Sequence, residues 1–141
     1  MRREPHLQLT LRDGPTATAD LREAVEVVSE RYGLAGEERF DLKLAATEAL
    51  TNALKGTPET QAVEVTLAGE DGAVTVEVLD RGVFSALRAA LAPGPEAEGG
   101  RGIALMLALL DDLDFEQTPT GTRVRLTKRR APVSAPLPLA G

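Results

Sequence analysis

Two runs, Ala62-Val63-Glu64-Val65-Thr66-Leu67 and Ala73-Val74-Thr75-Val76-Glu77-Val78, alternate with the period of a β-strand on either side of Gly69-Glu70-Asp71-Gly72. Alternation interrupted by turn-forming residues predicts an antiparallel hairpin. A hairpin leaves an apolar face that other parts of the chain must cover, so the flanking segments decide the architecture.

Those segments carry helical spacing. Leu21, Ala24, Val25, Val28 and Tyr32 predict an amphipathic helix capped by Asp20 and stopped at Gly33. Glu37 to about Leu54 predicts a longer one, with Leu42, Ala46, Ala49, Leu50 and Ala53 on one face and Gly56-Thr57-Pro58 at its end. His6 to Leu11 alternates as a short strand, broken at Asp13-Gly14-Pro15. Beyond the hairpin, Asp80 to Gly102 is rich in glycine and proline and predicts a mobile loop, with one helix-like piece at Ser85 to Leu91. Ile103 to Leu110 is apolar nearly all round, which predicts a helix buried on most sides. Phe115 to Thr118 and Thr122 to Lys128 predict a second hairpin across Pro119-Thr120-Gly121. The expected fold is α+β, a two-layer sandwich of helices on a mostly antiparallel mixed sheet.

The chain has 141 residues, enough for one core that buries roughly two-thirds of the unfolded surface. We expect one domain over 1–129 and a disordered tail over 130–141, where Pro132, Pro136 and Pro138 stand among small residues. Without cysteine, and with a single histidine, His6, a disulfide framework and a thiolate or imidazole zinc cluster are excluded. A formal charge of -6 argues against direct nucleic-acid binding, which needs clustered Lys and Arg. Neither a signal-peptide pattern nor a membrane-length apolar stretch is visible, so a cytoplasmic protein without a membrane partner is expected.

Candidate chemistry lies on the second helix. Asp41, Ala45, Glu48, Asn52 and Lys55 follow one another at spacings of four, three, four and three residues and therefore share a stripe. Asn52 offers a neutral carbonyl oxygen, a hard ligand suited to Mg²⁺, and Glu48 beside it can orient or deprotonate a hydroxyl. Taken alone, the stripe reads better as the solvated face of an amphipathic helix. Two further segments change its weight. Val78-Leu79-Asp80-Arg81-Gly82 ends a strand in an acid, able to accept a hydrogen bond from an exocyclic amine, beside a glycine that lets a flat base approach the backbone. Glu98-Gly99-Gly100-Arg101-Gly102 opens the apolar helix, and free N–H groups at a helix start favour phosphate, with Arg101 adding a charged contact.

In this order the three segments resemble the GHKL ATPases, the superfamily of gyrase and histidine-kinase ATP domains. Glu48-x-x-x-Asn52-Ala53 looks like its N box, Asp80-x-Gly82 like its first glycine box, and Gly100-Arg101-Gly102-Ile103-Ala104-Leu105 with Gly121-Thr122 like its later boxes. Within the superfamily, the Thr47-Glu48-Ala49-Leu50-Thr51-Asn52-Ala53 wording is most similar to the bacterial anti-sigma-factor serine/threonine kinases. The resemblance covers roughly Leu7 to Thr127. It implies a Bergerat-type sandwich holding ATP between helices and sheet, with Asn52 on Mg²⁺ and Glu48 as the base toward a protein hydroxyl. It further implies Asp80 on the adenine amine, Gly82 making room for the base, and Thr122 in the surrounding hydrogen bonds. Gly100, Arg101 and Gly102 would touch phosphates, and Val83 to Gly99 would form a lid.

The chain departs from the family where many relatives have histidine and it has Lys55, and where many have a second glycine and it has Val83-Phe84. Lys55 can still reach phosphate or simply be solvated. The resemblance implies a kinase that phosphorylates an antagonist protein and binds a sigma factor, acting as a homodimer. A nucleotide-gated interaction module with little catalysis is the alternative. An ATP domain working with a separate histidine phosphotransfer partner is a third reading, for which His6 in a strand is a poor phosphoacceptor.

Overall fold

The computed structural model describes residues 5–81 and 98–132, with side chains described for 7–81 and 102–132. The elements follow the order β1 (Pro5–Leu11), α1 (Ala17–Arg31), α2 (Gly36–Gly56), β2 (Val63–Glu70), β3 (Ala73–Asp80), α3 (Glu98–Leu109), β4 (Asp112–Thr118) and β5 (Gly121–Arg129). The five strands form one sheet in the order β1-β2-β3-β5-β4. The expected two-layer α+β sandwich is what forms, and each pairing among these strands is antiparallel rather than mixed.

Register explains the layering. Leu9 stands opposite Val65, Val65 opposite Val78, Val78 opposite Val124 and Val124 opposite Phe115, so one row of apolar side chains crosses the sheet. The neighbouring rows, with Leu67, Val76 and Leu126, repeat the pattern, and these residues are fully buried. Leu21, Val25, Val28, Leu42, Ala46 and Leu50 from α1 and α2 close over them. The other sheet face carries Glu64, Glu77, Arg123 and Arg125, and there Glu77 pairs across strands with Arg123 and Arg125.

Two helix expectations are corrected. Asp20 does not cap α1; the helix starts a turn earlier at Ala17, and the Asp20 N–H donates to the Thr16 carbonyl 2.9 Å away. Its carboxylate instead lies in the first turn, where a negative charge suits the helix dipole. The end is as expected: the Gly33 N–H donates to Glu30 O and the Leu34 N–H to Ser29 O, a Schellman closure with Gly33 at φ +85°. The second correction concerns α3, which is not buried on most sides. Gly102 and Met106 face the core, while Leu105 and Leu107 are 37% and 60% exposed. Among the described residues this helix, at the margin of the sandwich, packs mainly against α2 and β4, which cover one side of it.

The hairpins run further than the alternation indicates. Gly69 and Glu70 belong to β2, leaving Asp71-Gly72 as the turn, and Gly121 belongs to β5. The Ser85 to Leu91 piece, the lid span from Val83 to Ala97 and the tail from Val133 lie outside the described residues.

Candidate nucleotide site

The flanks of α2 divide its work. Toward α1, Glu26 accepts hydrogen bonds from Arg39 Nε and Lys43 Nζ, each at 2.8 Å, clamping the two helices. The Lys43 hydrogen bond, against the opposing cost of burial, holds the Glu26 carboxyl below its ordinary range. The opposite flank carries Asp41, Glu48 and Asn52, and it meets α3.

Two contacts fix that meeting. Lys128 of β5 donates to the carbonyl of Leu109, the last residue of α3, at 2.7 Å and to Asp41 Oδ2 at 3.3 Å. Seven residues along α2, the Glu48 carboxylate lies against Gly102, seven residues back along α3, with Cδ 3.0 Å from where a Cβ on residue 102 would sit. Seven residues span about 10 Å on either helix, so α2 and α3 run antiparallel and in step. Continued by one turn, the same step points the start of α3 at Glu98 toward the Asn52 end of α2. Glu48 and Asn52 are half-buried rather than set on a free surface. Lys55, a turn further, is exposed.

The sheet supplies the second wall. Asp80, the last residue of β3, is 1% exposed and stands opposite Thr122 in register. Both face the helix layer, and the Thr122 N–H donates to Asp80 Oδ1 at 3.2 Å. Gly121 is required beside them, because a Cβ there would overlap the Asp80 carbonyl. Arg81 turns to the other face, where its guanidinium reaches Glu64 at 2.8 Å and Thr120 at 3.3 Å. Its N–H donates to Thr57 Oγ1 at 3.0 Å. Thr57 follows directly on α2, so this bond ties the C-terminal end of α2 to the corner at Asp80. Asn52, five residues or about 7 Å back along the helix, is thereby held at the same end of the sheet.

The structure thus brings Glu48 and Gly102 together at one seam, with Asn52 one turn along α2, and pairs Asp80 with Thr122 at the strand ends. Gly82 lies outside the described residues, as does the Arg101 side chain. Thr57, Arg81 and Gln117 have roles that the sequence did not signal. Gln117 could have been found from hairpin arithmetic, since a turn at Pro119-Thr120 places it opposite Thr122. A cavity of about 550 Å³ lined by Thr10, Gln61, Ala62, Glu64, Arg81 and Thr120 opens on the other face of the sheet, and none of Glu48, Asn52, Asp80 or Thr122 lines it.

The donor set can be tested against a cation. Among the described residues, no three His, Cys, Asp or Glu side chains group to hold a metal ion. A single amide oxygen such as that of Asn52 suits a Mg²⁺ that arrives with most of its oxygen ligands on a polyphosphate. A buried Asp80 beside a committed backbone donor fits an amine-bearing ring.

Residues 11–128 match the histidine kinase-like ATPase domain family. The chain is 35% identical over 101 residues to an anti-sigma F factor of Caldanaerobacter subterraneus, covering 65% of this chain and 71% of that protein. An anti-sigma F factor of Clostridium acetobutylicum is 32% identical over 104 residues, covering 67% and 73%. Among solved structures, the RsbU and RsbW domains of a Mycobacterium tuberculosis protein superpose with a TM-score of 0.65 at 23% identity. That match covers 87% of this chain, which spans 32% of the mycobacterial one. The SiaB-SiaC complex of Pseudomonas aeruginosa gives a TM-score of 0.59 at 16% identity, covering 88% of each chain.

Proposed function

The chain belongs to the histidine kinase-like ATPase family, and from that premise we propose that it is an ATP-binding regulatory serine/threonine kinase of the anti-sigma type. It would phosphorylate an antagonist protein and bind a sigma factor or similar partner. The observation that carries this reading is the convergence at one end of the sandwich of buried Asp80, its register partner Thr122, and the seam where Glu48, one turn from Asn52, lies against Gly102 of α3.

The roles divide by chemistry. Asp80 accepts from the exocyclic amine of the base, and Thr122 borders it. Gly100, Arg101 and Gly102 border the phosphates: the free N–H groups of the first turn of α3, that of Gly100 among them, donate to phosphate oxygens, Gly102 leaves room, and Arg101 and Lys55 supply positive charge. Asn52 holds Mg²⁺, which when bound offsets phosphate charge. Glu48 accepts the proton of a serine or threonine hydroxyl on the protein substrate as that oxygen attacks the terminal phosphorus, the bond from that phosphorus to the bridging oxygen breaks, and ADP leaves. Phosphoryl transfer asks little else of a protein than position and charge. The 35% and 32% identical relatives are anti-sigma F factors, which supports an anti-sigma role. SiaB and SiaC form a complex with each other, which supports a protein partner.

Incubating labelled ATP and magnesium with a candidate antagonist domain tests the kinase. Transfer that is lost in Glu48→Ala supports the assignment, and transfer undiminished in that variant removes Glu48 as the base. Tight ATP binding without transfer would favour a nucleotide-gated interaction module instead. Lys55 and Val83-Phe84, the two departures from the family pattern, favour that second reading.

A further inference from the structure

We propose that Gln117 is a positioning residue that sets the polarity of the Thr122 hydroxyl, and through it the preference of the site for a 6-amino purine over a 6-keto purine. The inference rests on the reading that a nucleotide base lies at Asp80 and Thr122.

The direction of each hydrogen bond decides the matter. Gln117 on β4 stands opposite Thr122 on β5, with the two-residue turn Pro119-Thr120 closing the strands beyond them. Its amide nitrogen donates to the carbonyls of Thr118 and Gly121, at 3.2 and 3.1 Å. A carbonyl oxygen only accepts, so the atom facing these two must be the NH₂, and the amide has one orientation. Its oxygen then points to Thr122 Oγ1, 3.5 Å away, and accepts from that hydroxyl. The bond is long and therefore biases the hydroxyl rather than locking it.

The N–H of Thr122 is thus committed to Asp80, and its O–H is biased toward Gln117. What the hydroxyl turns toward a base is lone pairs, beside the acceptor oxygens of Asp80. An exocyclic amine complements such a corner, whereas a keto oxygen meets lone pair with lone pair. Without Gln117 the hydroxyl is free to rotate and donate to the keto oxygen. A residue that only stabilised the turn would weaken both purines alike, so the ratio of affinities separates the two roles.

The test is calorimetric titration of Mg-ATP and Mg-ITP, which differ at C6 and its neighbouring N1, into wild type, Gln117→Met, Thr122→Val and the double variant. We expect wild type to favour ATP by about tenfold or more, and Gln117→Met to narrow that ratio about threefold or more, mainly by a gain in ITP affinity. In the Thr122→Val background, Gln117→Met should leave the ratio unchanged. Gln117→Asn, too short to span from the turn carbonyls to Thr122, should narrow the ratio like Gln117→Met and replaces it should that variant not fold. An unchanged ratio in the Gln117 variant, or a change that persists without the Thr122 hydroxyl, overturns the inference. Wild type that binds ATP while Asp80→Asn does not, combined with an unchanged ratio, defeats the role of Gln117 alone. Wild type that binds neither nucleotide defeats the nucleotide reading and this inference with it.

Discussion

The carboxylate of Glu48 occupies the space where a side chain at Gly102 would begin. The obstacle to a larger residue at 102 is thus the mobile end of a side chain rather than backbone. Gly102→Ala gains up to about 1 kcal/mol of helix propensity, and Glu48 can swing aside at little cost. We therefore expect the unfolding stability to stay within about 1 kcal/mol of wild type. Phosphoryl transfer to an antagonist domain should fall by about tenfold or more, because the displaced carboxylate no longer sits at the seam. Paired melting and transfer assays on one preparation check both halves.

Gly121 presents the opposite case. A Cβ there meets the Asp80 carbonyl, at the end of the β3 to β5 pairing, and the Arg81 Cα just beyond it. Backbone cannot swing aside, so Gly121→Ala has to part the strand ends. A loss of about 2 kcal/mol or more in a urea titration is expected, within the range of overpacked sites. Comparing it with Gly102→Ala distinguishes a glycine kept for the fold from one kept for the site.

Acid should loosen the clamp between α1 and α2. Glu26 has its carboxyl held below the ordinary 4.5, first by the Lys43 hydrogen bond. A depressed folded value contributes stability that is present above 4.5 and is lost as pH falls through the folded value. The three side chains are 24–34% exposed, so the pair contributes about 0.5–1 kcal/mol at neutral pH. Wild type should exceed Glu26→Gln by that margin at pH 7, and the two unfolding curves should converge on acidification below 4.5.

Ser29 is fully buried in α1, and its hydroxyl has no hydrogen-bond partner among the described residues. Removing an unpaired buried hydroxyl relieves a desolvation cost while deleting one atom's packing. Ser29→Ala should be neutral or more stable by up to about 1 kcal/mol, read as an equal or higher denaturation midpoint. A clear loss would reveal a partner for the hydroxyl.

How much was legible in the sequence follows from what each signal encodes. The β2–β3 alternation and the apolar spacing of α2 record burial directly, and the residues they marked, such as Val65, Val76, Leu42 and Leu50, are fully buried. Asp20 misled because an acid suits either a cap or a first turn, and local sequence does not separate the two. The apolar run of α3 misled because composition states what a helix would bury, whereas exposure of Leu107 depends on how much neighbouring surface exists. Glu48, Asn52, Asp80 and Thr122 were readable as motif positions. That Gly102 abuts Glu48, that Thr57 bonds the Arg81 N–H and that Gln117 faces Thr122 are products of register and helix pairing. No single segment contains them.

Nucleotide binding at Asp80 is the central claim, and its most direct measurement is calorimetric titration of ATP with magnesium into wild type and Asp80→Asn. The exchange preserves shape while replacing an acceptor oxygen with an NH₂ that repels the base amine. Saturable binding by wild type, weakened by about 2 kcal/mol or roughly thirtyfold in Asp80→Asn, is the predicted result. Equal binding by the two proteins, or none by either, would contradict it.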